Sequence, residues 1–420
     1  MFIVNGGKKL SGSVKISGSK NACLPLLAAS LLIRGKVVYK NVPYIGDVVT
    51  MLEIMATLGV TYNFLDDTLF LDTSNLSLDN FDATRIKEIR ASILLLAPIL
   101  QFFNKICIPE PGGCSIGKRS IDSHLEGLKV IGYDYKTTDD CTIEISGDKK
   151  QGEKVINAGF SVTSTENLII ANVLRDGKTT IKMAAIEPHV TNLIDFLKLA
   201  GADIFVDYDH TIIINGVPNL NNNVGFEVVS DYIESGTFMI IGALLSREYI
   251  DIQNARIKDL YAFIEKLREA GVRIEDMGDD TVRVWRSTNL KAVGIQTNIF
   301  PGFPTDLQSP FSILMTQAEG ISKIHEIMFE SRLNFLVEIE KIKGHVAIMN
   351  PHEALVFGKT NLKAGETLTS WDLRAGVAMV IVALLVEGET KITNIKYIKR
   401  GYANFLEKII SLGGDIREEE

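Results

Sequence analysis

The chain has 420 residues, of which 46% are hydrophobic and 23% are charged, and its net charge is −8 at pH 7. These proportions exclude a disordered or fibrous chain, and the acidic balance argues against general binding of nucleic acid. The length is sufficient for two or three domains. The longest apolar run, residues 91–103, is shorter than the roughly 20 residues that cross a membrane, so we expect no membrane insertion. Because no secretory signal precedes the first strand, the expected location is the cytoplasm.

An apolar helix recurs about every 70 residues along the chain, each time after a polar start and before an alternating strand. The six copies begin near Lys20, Arg90, Ser161, Ser235, Asp306 and Arg374. Helices that are apolar on all sides must be buried. The pattern therefore predicts six buried helices, one in each of six repeated units.

An amphipathic helix that ends at a glycine recurs with the same period. The glycines are Gly59, Gly132, Gly201, Gly271, Gly344 and Gly413, and each is predicted to take the left-handed conformation that ends a helix. Because amphipathic helices cover sheets, the sequence predicts an α/β (α+β) fold of two inside-out domains, each with three repeats, buried helices and outer sheets. The predicted domains are residues 20–229, which carry the glycine-rich loop described below, and residues 1–19 with 230–420.

The starts of the buried helices are the first candidate sites, because a helix N-terminus attracts phosphate and carboxylate groups. Lys20, Arg90 and Arg374 are cations at such starts, where they are unfavourable unless an anion is present. Asp372 is a possible partner for Arg374. Ser161 and Ser235 are equally well explained as helix caps.

A glycine-rich loop at residues 111–122 is the second candidate, because Cys114 lies in it and Lys118 and Arg119 follow. These cations favour the reactive thiolate; the alternative is a surface loop with an incidental cysteine. The other cysteines, Cys23, Cys107 and Cys141, are predicted to pack rather than react. No C-x-x-C spacing or paired histidine indicates a metal or cofactor site. Arginines near strand ends, Arg332 and Arg400, are further candidates with a possible structural role.

Several segments resemble the enolpyruvyl transferases, and within them the branch that acts on UDP-N-acetylglucosamine. The segments are ISGSKNACLPLLAASLL, RASILLLAP, PGGCSIGKRSID, FPTDLQ, WDLRAG and KRGY. They cover all six repeats, and the PGGC-x-IG-x-R loop is the most specific of them. The resemblance implies a fold of two inside-out barrels with the active site in the cleft between them.

The resemblance also implies the reaction, in which the enolpyruvyl group of phosphoenolpyruvate moves to the 3-hydroxyl of UDP-N-acetylglucosamine and phosphate leaves. This is the first committed step of peptidoglycan synthesis, and no cofactor is implied. Cys114 would be the general acid and a target of fosfomycin, and Asp306 the base and a sugar contact. The implied phosphoenolpyruvate-binding residues are Lys20, Asn21, Arg119, Arg332, Arg374 and Arg400. The implied UDP-N-acetylglucosamine-binding residues are Arg90, Arg119, Ser120, Ile121, Asp122, Ser123, Ser161, Val162, Asp306 and Met328.

The chain departs from the usual pattern of this family at Ser120, Phe160, Thr163–Ser164, Tyr232 and Ala403. None of these departures replaces a predicted catalytic side chain. Those that contact substrate are expected to alter the affinity for it. Three alternatives remain open at this point: an enolpyruvyl transferase with another acceptor, an inactive paralogue that binds a nucleotide sugar, and an RNA-end-processing enzyme on a related repeat fold.

Overall fold

The structure, a computed structural model, describes residues 1–112, 116–117, 119–138 and 142–419. Cys114, Lys118 and Cys141 lie outside the described residues. Within these ranges no helix combines the length and the apolar character needed to cross a membrane. The α-helices are α1 Lys20–Ser30, α2 Gly46–Thr57, α3 Leu96–Phe103, α4 Asp122–Val130, α5 Val162–Asn172, α6 Pro188–Leu199, α7 Tyr232–Leu245, α8 Tyr261–Glu269, α9 Gln308–Thr316, α10 Leu336–Lys341, α11 Leu373–Leu385, α12 Lys396–Lys399 and α13 Phe405–Ser411.

Short strands alternate with these helices. They are β1 Phe2–Gly6, β2 Leu10–Lys15, β3 Lys36–Lys40, β4 Thr61–Leu65, β5 Thr68–Asp72, β6 Lys105–Pro109, β7 Tyr133–Thr137, β8 Thr142–Gly147, β9 Lys154–Asn157, β10 Lys178–Lys182, β11 Asp203–Asp207, β12 Thr211–Asn215, β13 Asn223–Glu227, β14 Ser246–Gln253, β15 Ile274–Gly278, β16 Thr281–Trp285, β17 Ile295–Gln296, β18 Gly320–His325, β19 His345–Asn350, β20 Glu353–Gly358, β21 Thr367–Thr369, β22 Gly388–Thr393 and β23 Ile416–Glu418. Four short 3₁₀ helices complete the description: Ala83–Lys87, Arg90–Leu95, Ile257–Asp259 and Thr305–Leu307.

The chain divides into two compact units. Among the described residues, unit 1 comprises 1–17, 116–117 and 230–419, and unit 2 comprises 18–112 and 119–229. Both units repeat the order buried helix, strand, amphipathic helix and hairpin, for example α5, β10, α6 and β11–β12. The predicted repeat is therefore present in the structure.

Unit 2 surrounds its buried helices with three sheets, whose strand orders are β13-β3-β5-β4, β6-β8-β7 and β11-β12-β10-β9. In two of these sheets the strand that follows the buried helix pairs in parallel with a strand from another repeat, as β10 does with β9 and β3 with β13. Helices α1, α3 and α5 supply the interior, and every residue of α5 from Ser164 onward is buried. The α/β fold with inner helices and outer sheets is confirmed.

Unit 1 has the same plan, with helices α7, α9 and α11 inside and sheets β15-β16-β14-β2, β17-β18-β20-β19 and β21-β22-β1-β23 outside. All residues of α7 and α9 are buried. The first strand of the chain completes the last sheet, because β1 is antiparallel to both β22 and β23. Unit 1 is thus built from both ends of the chain.

Three starts of the buried helices differ from the sequence prediction. Asp306 lies in the 3₁₀ helix Thr305–Leu307, and α9 begins only at Gln308. Helix α7 begins at Tyr232, where the side chain of Asp231 accepts hydrogen bonds from the first turn, so Ser235 lies inside the helix and does not cap it. The segment from Arg90 is a 3₁₀ helix until Leu95, and regular α-helix begins only at Leu96. Ser161 does cap its helix, through a bond from the backbone nitrogen of Ser164 at 3.3 Å.

The predicted glycine caps are correct in five repeats and wrong in one. Gly59, Gly132, Gly201, Gly271 and Gly413 all have positive φ. In the fifth repeat the left-handed residue is Lys343, with φ 69°, and Gly344 is the residue after it.

The prediction of a buried Cys107 is also wrong: in β6 the neighbours Ile106 and Ile108 face the core and Cys107 faces outward, because side chains alternate along a strand. Cys23 is buried as predicted.

Candidate active site

A carboxylate between two arginines forms a connected polar group in unit 1. Arg332 Nη2 donates to Asp306 Oδ1 at 2.6 Å, and Arg374 donates through Nη2 at 3.0 Å and Nε at 3.2 Å to Asp306 Oδ2. Asp306 lies in the 3₁₀ turn before α9, and Arg374 in the first turn of α11. We call Asp306, Arg332 and Arg374 the Asp306 cluster.

The predicted partner of Arg374 was wrong. The side chain of Asp372 accepts hydrogen bonds from the backbone nitrogens of Arg374 and Ala375 at 2.7 and 3.0 Å, so it caps α11. The guanidinium of Arg374 instead reaches Asp306, with its carbon 5.0 Å from the centre of the Tyr402 ring. Tyr402 in turn shares a hydrogen bond of 3.0 Å with Thr237.

Both arginines of the cluster are almost completely buried, while the Asp306 side chain remains 24% exposed. Burial lowers the pKa of Arg374, but Tyr402, Asp306 and Asp231 outweigh it, so its pKa is raised above its ordinary value. For Arg332 burial is likewise outweighed, chiefly by Asp306, and its pKa is raised. Both guanidiniums therefore stay charged, and the carboxylate is the most exposed member of the cluster.

Lys20 is the cation at the first buried helix of unit 2. Ser19 caps this helix by accepting a hydrogen bond from Ala22 N at 3.3 Å. Lys20 Nζ lies 3.2 Å from Asp47 Oδ2, and both side chains are largely buried. The pairing explains how a cation is tolerated at a helix N-terminus. Asn21, the next residue, is half-buried.

Arg90 holds both stems of the glycine-rich loop. Its guanidinium donates to the carbonyl oxygen of Pro111 at 3.4 Å and, on the other side of the loop, to those of Arg119 and Ser120. Burial, and secondly the charge of Arg119, lower the pKa of Arg90. The described contacts of Arg90 thus fix the base of the loop, with Cys114 itself outside the described residues.

Two of the segments predicted to contact the nucleotide sugar adjoin a buried histidine. His124 Nε2 is 3.1 Å from Thr163 Oγ1, and its Nδ1 is 3.0 Å from Asn167 Nδ2. Because Asn167 Oδ1 accepts from Ala97 N at 3.2 Å, its amide nitrogen donates to His124 Nδ1. His124 then carries its proton on Nε2 and donates to Thr163. We call His124, Thr163 and Asn167 the His124 network.

Within unit 2 the His124 network joins two of the predicted segments. His124 belongs to α4, just after Ile121, Asp122 and Ser123, and Thr163 belongs to α5, just after Ser161 and Val162. Ile121 is buried, Ser123 is half-buried and Asp122 is exposed. Burial, and secondly the charge of Arg90, lower the pKa of His124 to about 3, so the ring is neutral at physiological pH.

The other predicted residues of unit 1 are Arg400 and Met328. Arg400 ends α12 and is half-buried. Met328 is 37% exposed, and its backbone nitrogen donates to Glu326 Oε1 at 2.8 Å. Of the predicted residues in unit 1, the structure brings together Asp306, Arg332 and Arg374.

Comparison with known proteins decides the family. Residues 4–409 match the family model described as EPSP synthase (3-phosphoshikimate 1-carboxyvinyltransferase). A UDP-N-acetylglucosamine 1-carboxyvinyltransferase of Desulfosudis oleivorans is 39% identical over 416 residues, which are 99% of this chain and 98% of that protein. Proteins with the same name from Magnetococcus marinus and Coxiella burnetii are 38% and 36% identical over 99% of this chain, and 98% and 95% of their own lengths are covered. The chain belongs to the enolpyruvyl transferases.

Solved structures agree with this assignment. The enolpyruvyl transferase NikO from Streptomyces tendae has a TM-score of 0.90 and 26% identity, with 99% of this chain and 98% of that chain covered. EPSP synthase from Acinetobacter baumannii has a TM-score of 0.77 at 16% identity and covers 100% of this chain and 99% of its own, which shows a shared fold.

Sequence reasoning missed several residues that hold this enolpyruvyl transferase's predicted site in place. They are Asp47, His124, Asn167, Tyr402, Thr305 and Glu326. The last two adjoin Arg332, because Arg332 Nη1 donates to Thr305 Oγ1 at 2.8 Å and Thr305 Oγ1 donates to Glu326 Oε2 at 2.7 Å. Thr305 and Tyr402 belong to the FPTDLQ and KRGY segments. Thr305 precedes Asp306 directly and Tyr402 follows Arg400 by two residues, so the sequence could have indicated both as neighbours of the site. Asp47 and Asn167 are distant in sequence from their partners, and no local pattern indicates them.

Proposed function

We propose that this enolpyruvyl transferase moves the enolpyruvyl group of phosphoenolpyruvate to the 3-hydroxyl of UDP-N-acetylglucosamine, with release of phosphate. The observation that carries the proposal is that relatives 36–39% identical over 99% of the chain are named for this activity. The reaction would commit UDP-N-acetylglucosamine to peptidoglycan synthesis. The Asp306 cluster supports it, since a partly exposed carboxylate and two buried cations suit a proton transfer beside an anionic substrate.

The chemistry has two stages. In the addition, the sugar oxygen bonds to C2 of phosphoenolpyruvate, the hydroxyl proton goes to a base, and the methylene carbon takes a proton from an acid to become a methyl group. In the elimination, a proton leaves that methyl group, the double bond forms again, and the bond from C2 to the phosphate oxygen breaks. The protein must therefore supply a base, an acid and cations for phosphate and carboxylate.

In unit 1 we assign Asp306 as the base and sugar contact, and Arg332 and Arg374 as ligands of the phosphoenolpyruvate carboxylate. The buried Nε–H of Arg332 finds no hydrogen-bond partner among the described residues. An orphaned buried donor is explained if a ligand oxygen accepts from it. Met328 is assigned to the sugar nucleotide through its half-exposed side chain.

The other assignments follow the family pattern. We assign four residues to the phosphoenolpyruvate phosphate: Lys20, Asn21, Arg119 and Arg400. Three of them are cations, which form strong hydrogen bonds with phosphate oxygens. The proposed UDP-N-acetylglucosamine contacts of unit 2 are Arg90, Arg119, Ser120, Ile121, Asp122, Ser123, Ser161 and Val162. The His124 network supports the last group, because it connects the first turn of α4 to the first turn of α5.

Cys114 is assigned as the general acid that protonates the methylene carbon. If so, alkylation by an epoxide such as fosfomycin abolishes turnover, whereas Cys114→Asp retains some turnover because a carboxylic acid can also donate a proton, and it escapes alkylation. Full activity of the wild-type protein after stoichiometric alkylation of Cys114 would contradict the assignment.

The test is phosphate release from phosphoenolpyruvate with UDP-N-acetylglucosamine, run beside shikimate 3-phosphate. We expect release with the nucleotide sugar alone, and a loss of about 10²-fold or more in Asp306→Asn and in Cys114→Ala, the usual range for general acid–base groups. Release with shikimate 3-phosphate alone would show a different acceptor. Release with neither acceptor would favour a binding paralogue and sink the proposal.

A further inference from the structure

The amide of Asn167 connects the His124 network to a third segment of unit 2. Asn167 lies in α5, and its side chain is almost completely buried. Its Oδ1 accepts a hydrogen bond from Ala97 N at 3.2 Å, and its Nδ2 donates to the carbonyl oxygen of Ile93 at 3.4 Å and to His124 Nδ1 at 3.0 Å. Ile93 belongs to the 3₁₀ helix that begins at Arg90. The amide thus uses its oxygen and both of its protons, and it joins this 3₁₀ helix and α4 to α5.

The direction of each of these hydrogen bonds is fixed. A backbone N–H can only donate, so the atom of Asn167 that faces Ala97 is the oxygen, and the amide nitrogen faces His124 Nδ1 as a donor. Because burial keeps the histidine ring neutral at physiological pH, the ring has one N–H, which lies on Nε2. This N–H is donated to Thr163 Oγ1, 3.1 Å away. The hydroxyl of Thr163 therefore lies at one end of an ordered series of bonds, and the backbone near Ile93 lies at the other.

Each element in this series begins with a residue that is assigned to the nucleotide sugar. The 3₁₀ helix begins at Arg90, α4 at Asp122 and α5 at Val162. His124 is the third residue of α4, and Thr163 is the second residue of α5. The proposed contacts thus come from three separate stretches of sequence. A ligand that contacts all three is bound more tightly when they are already in place, because ordering them during binding costs free energy.

We propose that His124 and Thr163 are positioning residues for UDP-N-acetylglucosamine, because their hydrogen bond holds the start of α4 against the start of α5 before the ligand binds. Asn167 fixes the ring of His124 so that Nε2 faces Thr163. The inference rests on the proposed function, in which the starts of both helices contact the nucleotide sugar. Thr163 is one of the positions at which this chain departs from the usual pattern of its family, so the resemblance alone does not supply this bond.

Three threonine variants separate the hydroxyl from its packing. Thr163→Val keeps the shape and removes the hydroxyl, whereas Thr163→Ser keeps the hydroxyl. Thr191→Val is the matched control, because Thr191 is a half-buried threonine of α6 whose hydroxyl donates to the backbone oxygen of Pro188 at 3.0 Å. We expect Thr163→Val to raise the Kd and the KM for UDP-N-acetylglucosamine about 5- to 10-fold, the usual worth of one hydrogen bond. Its kcat and its KM for phosphoenolpyruvate, and all constants of the other two variants, should stay within about twofold of wild type.

Two histidine variants separate the two ring nitrogens. The side chain of asparagine reaches only the position of Nδ1, so His124→Asn keeps an acceptor for Asn167 and loses the bond to Thr163. The longer glutamine reaches the position of Nε2, so His124→Gln keeps a donor for Thr163. We expect His124→Asn to weaken the binding of UDP-N-acetylglucosamine as Thr163→Val does, and His124→Gln to stay within about twofold of wild type. Wild-type affinity in Thr163→Val, equal losses in Thr163→Ser and Thr163→Val, or the reverse order of the histidine variants would each overturn the proposal.

A double variant tests whether Thr163 acts through the neighbouring contact Ser161. Losses of affinity at independent residues multiply, whereas the losses at coupled residues do not. We expect Ser161→Ala combined with Thr163→Val to weaken binding by clearly less than the product of the two single losses, because a misplaced Ser161 has little affinity left to lose. A combined loss equal to that product would refute the positioning role.

The nitrogen NMR spectrum of His124 gives a readout that needs neither ligand nor turnover. We expect a proton on Nε2 and none on Nδ1 at pH 7, and a proton on Nδ1 would overturn the proposal. Binding of UDP-N-acetylglucosamine is measured by calorimetry without phosphoenolpyruvate, separately from phosphate release. A wild type that binds the nucleotide sugar but releases no phosphate refutes the proposed function alone, and the variants still decide the role of Thr163. A wild type that does not bind it refutes both.

Discussion

Units 1 and 2 are built from the same repeat but bury their polar groups in different ways. Unit 1 keeps charge in its interior: Arg332 and Arg374 are almost fully buried, and both bond to Asp306. Unit 2 buries the ion pair between Lys20 and Asp47, but two of its other buried titratable groups are shifted toward their neutral forms. His124 has its pKa lowered to about 3, and burial, together with Glu187, raises the pKa of Glu166 well above its ordinary value.

The difference follows from the partners available. Asp306 gives each arginine of unit 1 an opposite charge at hydrogen-bond distance, which offsets the cost of removing the cations from water. Among the residues that the structure describes, the hydrogen-bond partners of the His124 ring are the amide of Asn167 and the hydroxyl of Thr163. Neutral partners satisfy a neutral ring but cannot offset a buried positive charge, particularly near Arg90. In these two sites, charge is buried where a counter-charge is present, and the group stays neutral where it is absent.

The largest effect is expected when the counter-charge of unit 1 is removed. Asp306→Ala leaves two buried guanidiniums facing each other without a carboxylate, and we expect the free energy of unfolding to fall by about 3–5 kcal/mol. Chemical denaturation at pH 7 measures it, with the exposed Glu366→Ala as the control. A loss below about 1 kcal/mol in Asp306→Ala would mean that the cluster contributes nothing beyond a surface ion pair.

The second-largest expected effect is a loss of folding stability at acid pH, caused by His124 of unit 2. The folded pKa of His124 is about 3, whereas the unfolded pKa is about 6.5, so below pH 6.5 the unfolded chain binds a proton that the folded chain refuses. Stability is therefore lost as the pH falls from 6.5 toward 3, by about 2 kcal/mol at pH 5. We expect His124→Gln to remove this part of the pH dependence, and the exposed His345→Gln to leave it unchanged. Identical pH profiles for wild type and His124→Gln between pH 5 and 7 would refute the buried neutral ring.

Much of the fold could be predicted because it repeats. The period of about 70 residues and the apolar helices gave the α/β architecture, with inner helices and outer sheets in both units. The polar contacts could not be predicted in the same way. Asp306 meets Arg374 across 68 positions, and Ala97 meets Asn167 across 70, and no local pattern encodes which polar residues the packing brings together.

The fifth repeat shows where pattern matching itself was wrong. Gly344 was aligned with Gly413, but the structure makes Lys343 the equivalent of Gly413, since both have positive φ. Gly344 then corresponds to Gly414, because a Cβ on either would lie 2.2–2.4 Å from a side-chain atom of Ile339 or Ile409, respectively. Glycine is present at 344 for space and at 413 for backbone conformation, which the sequence alone does not distinguish.

The smallest expected effect tests the corrected alignment of the fifth repeat. All three repeats of unit 2 have glycine at the left-handed position, whereas unit 1 has Lys343 at one of its three. A side chain in that conformation costs about 1–2 kcal/mol, and glycine loses part of this gain through the entropy of the unfolded chain. We expect Lys343→Gly to raise the free energy of unfolding by about 0.5–1 kcal/mol. Gly344→Ala should lower it by about 1–3 kcal/mol, because the new methyl group overlaps Ile339. The opposite order, with Gly344→Ala tolerated and Lys343→Gly destabilising, would restore the alignment of Gly344 with Gly413.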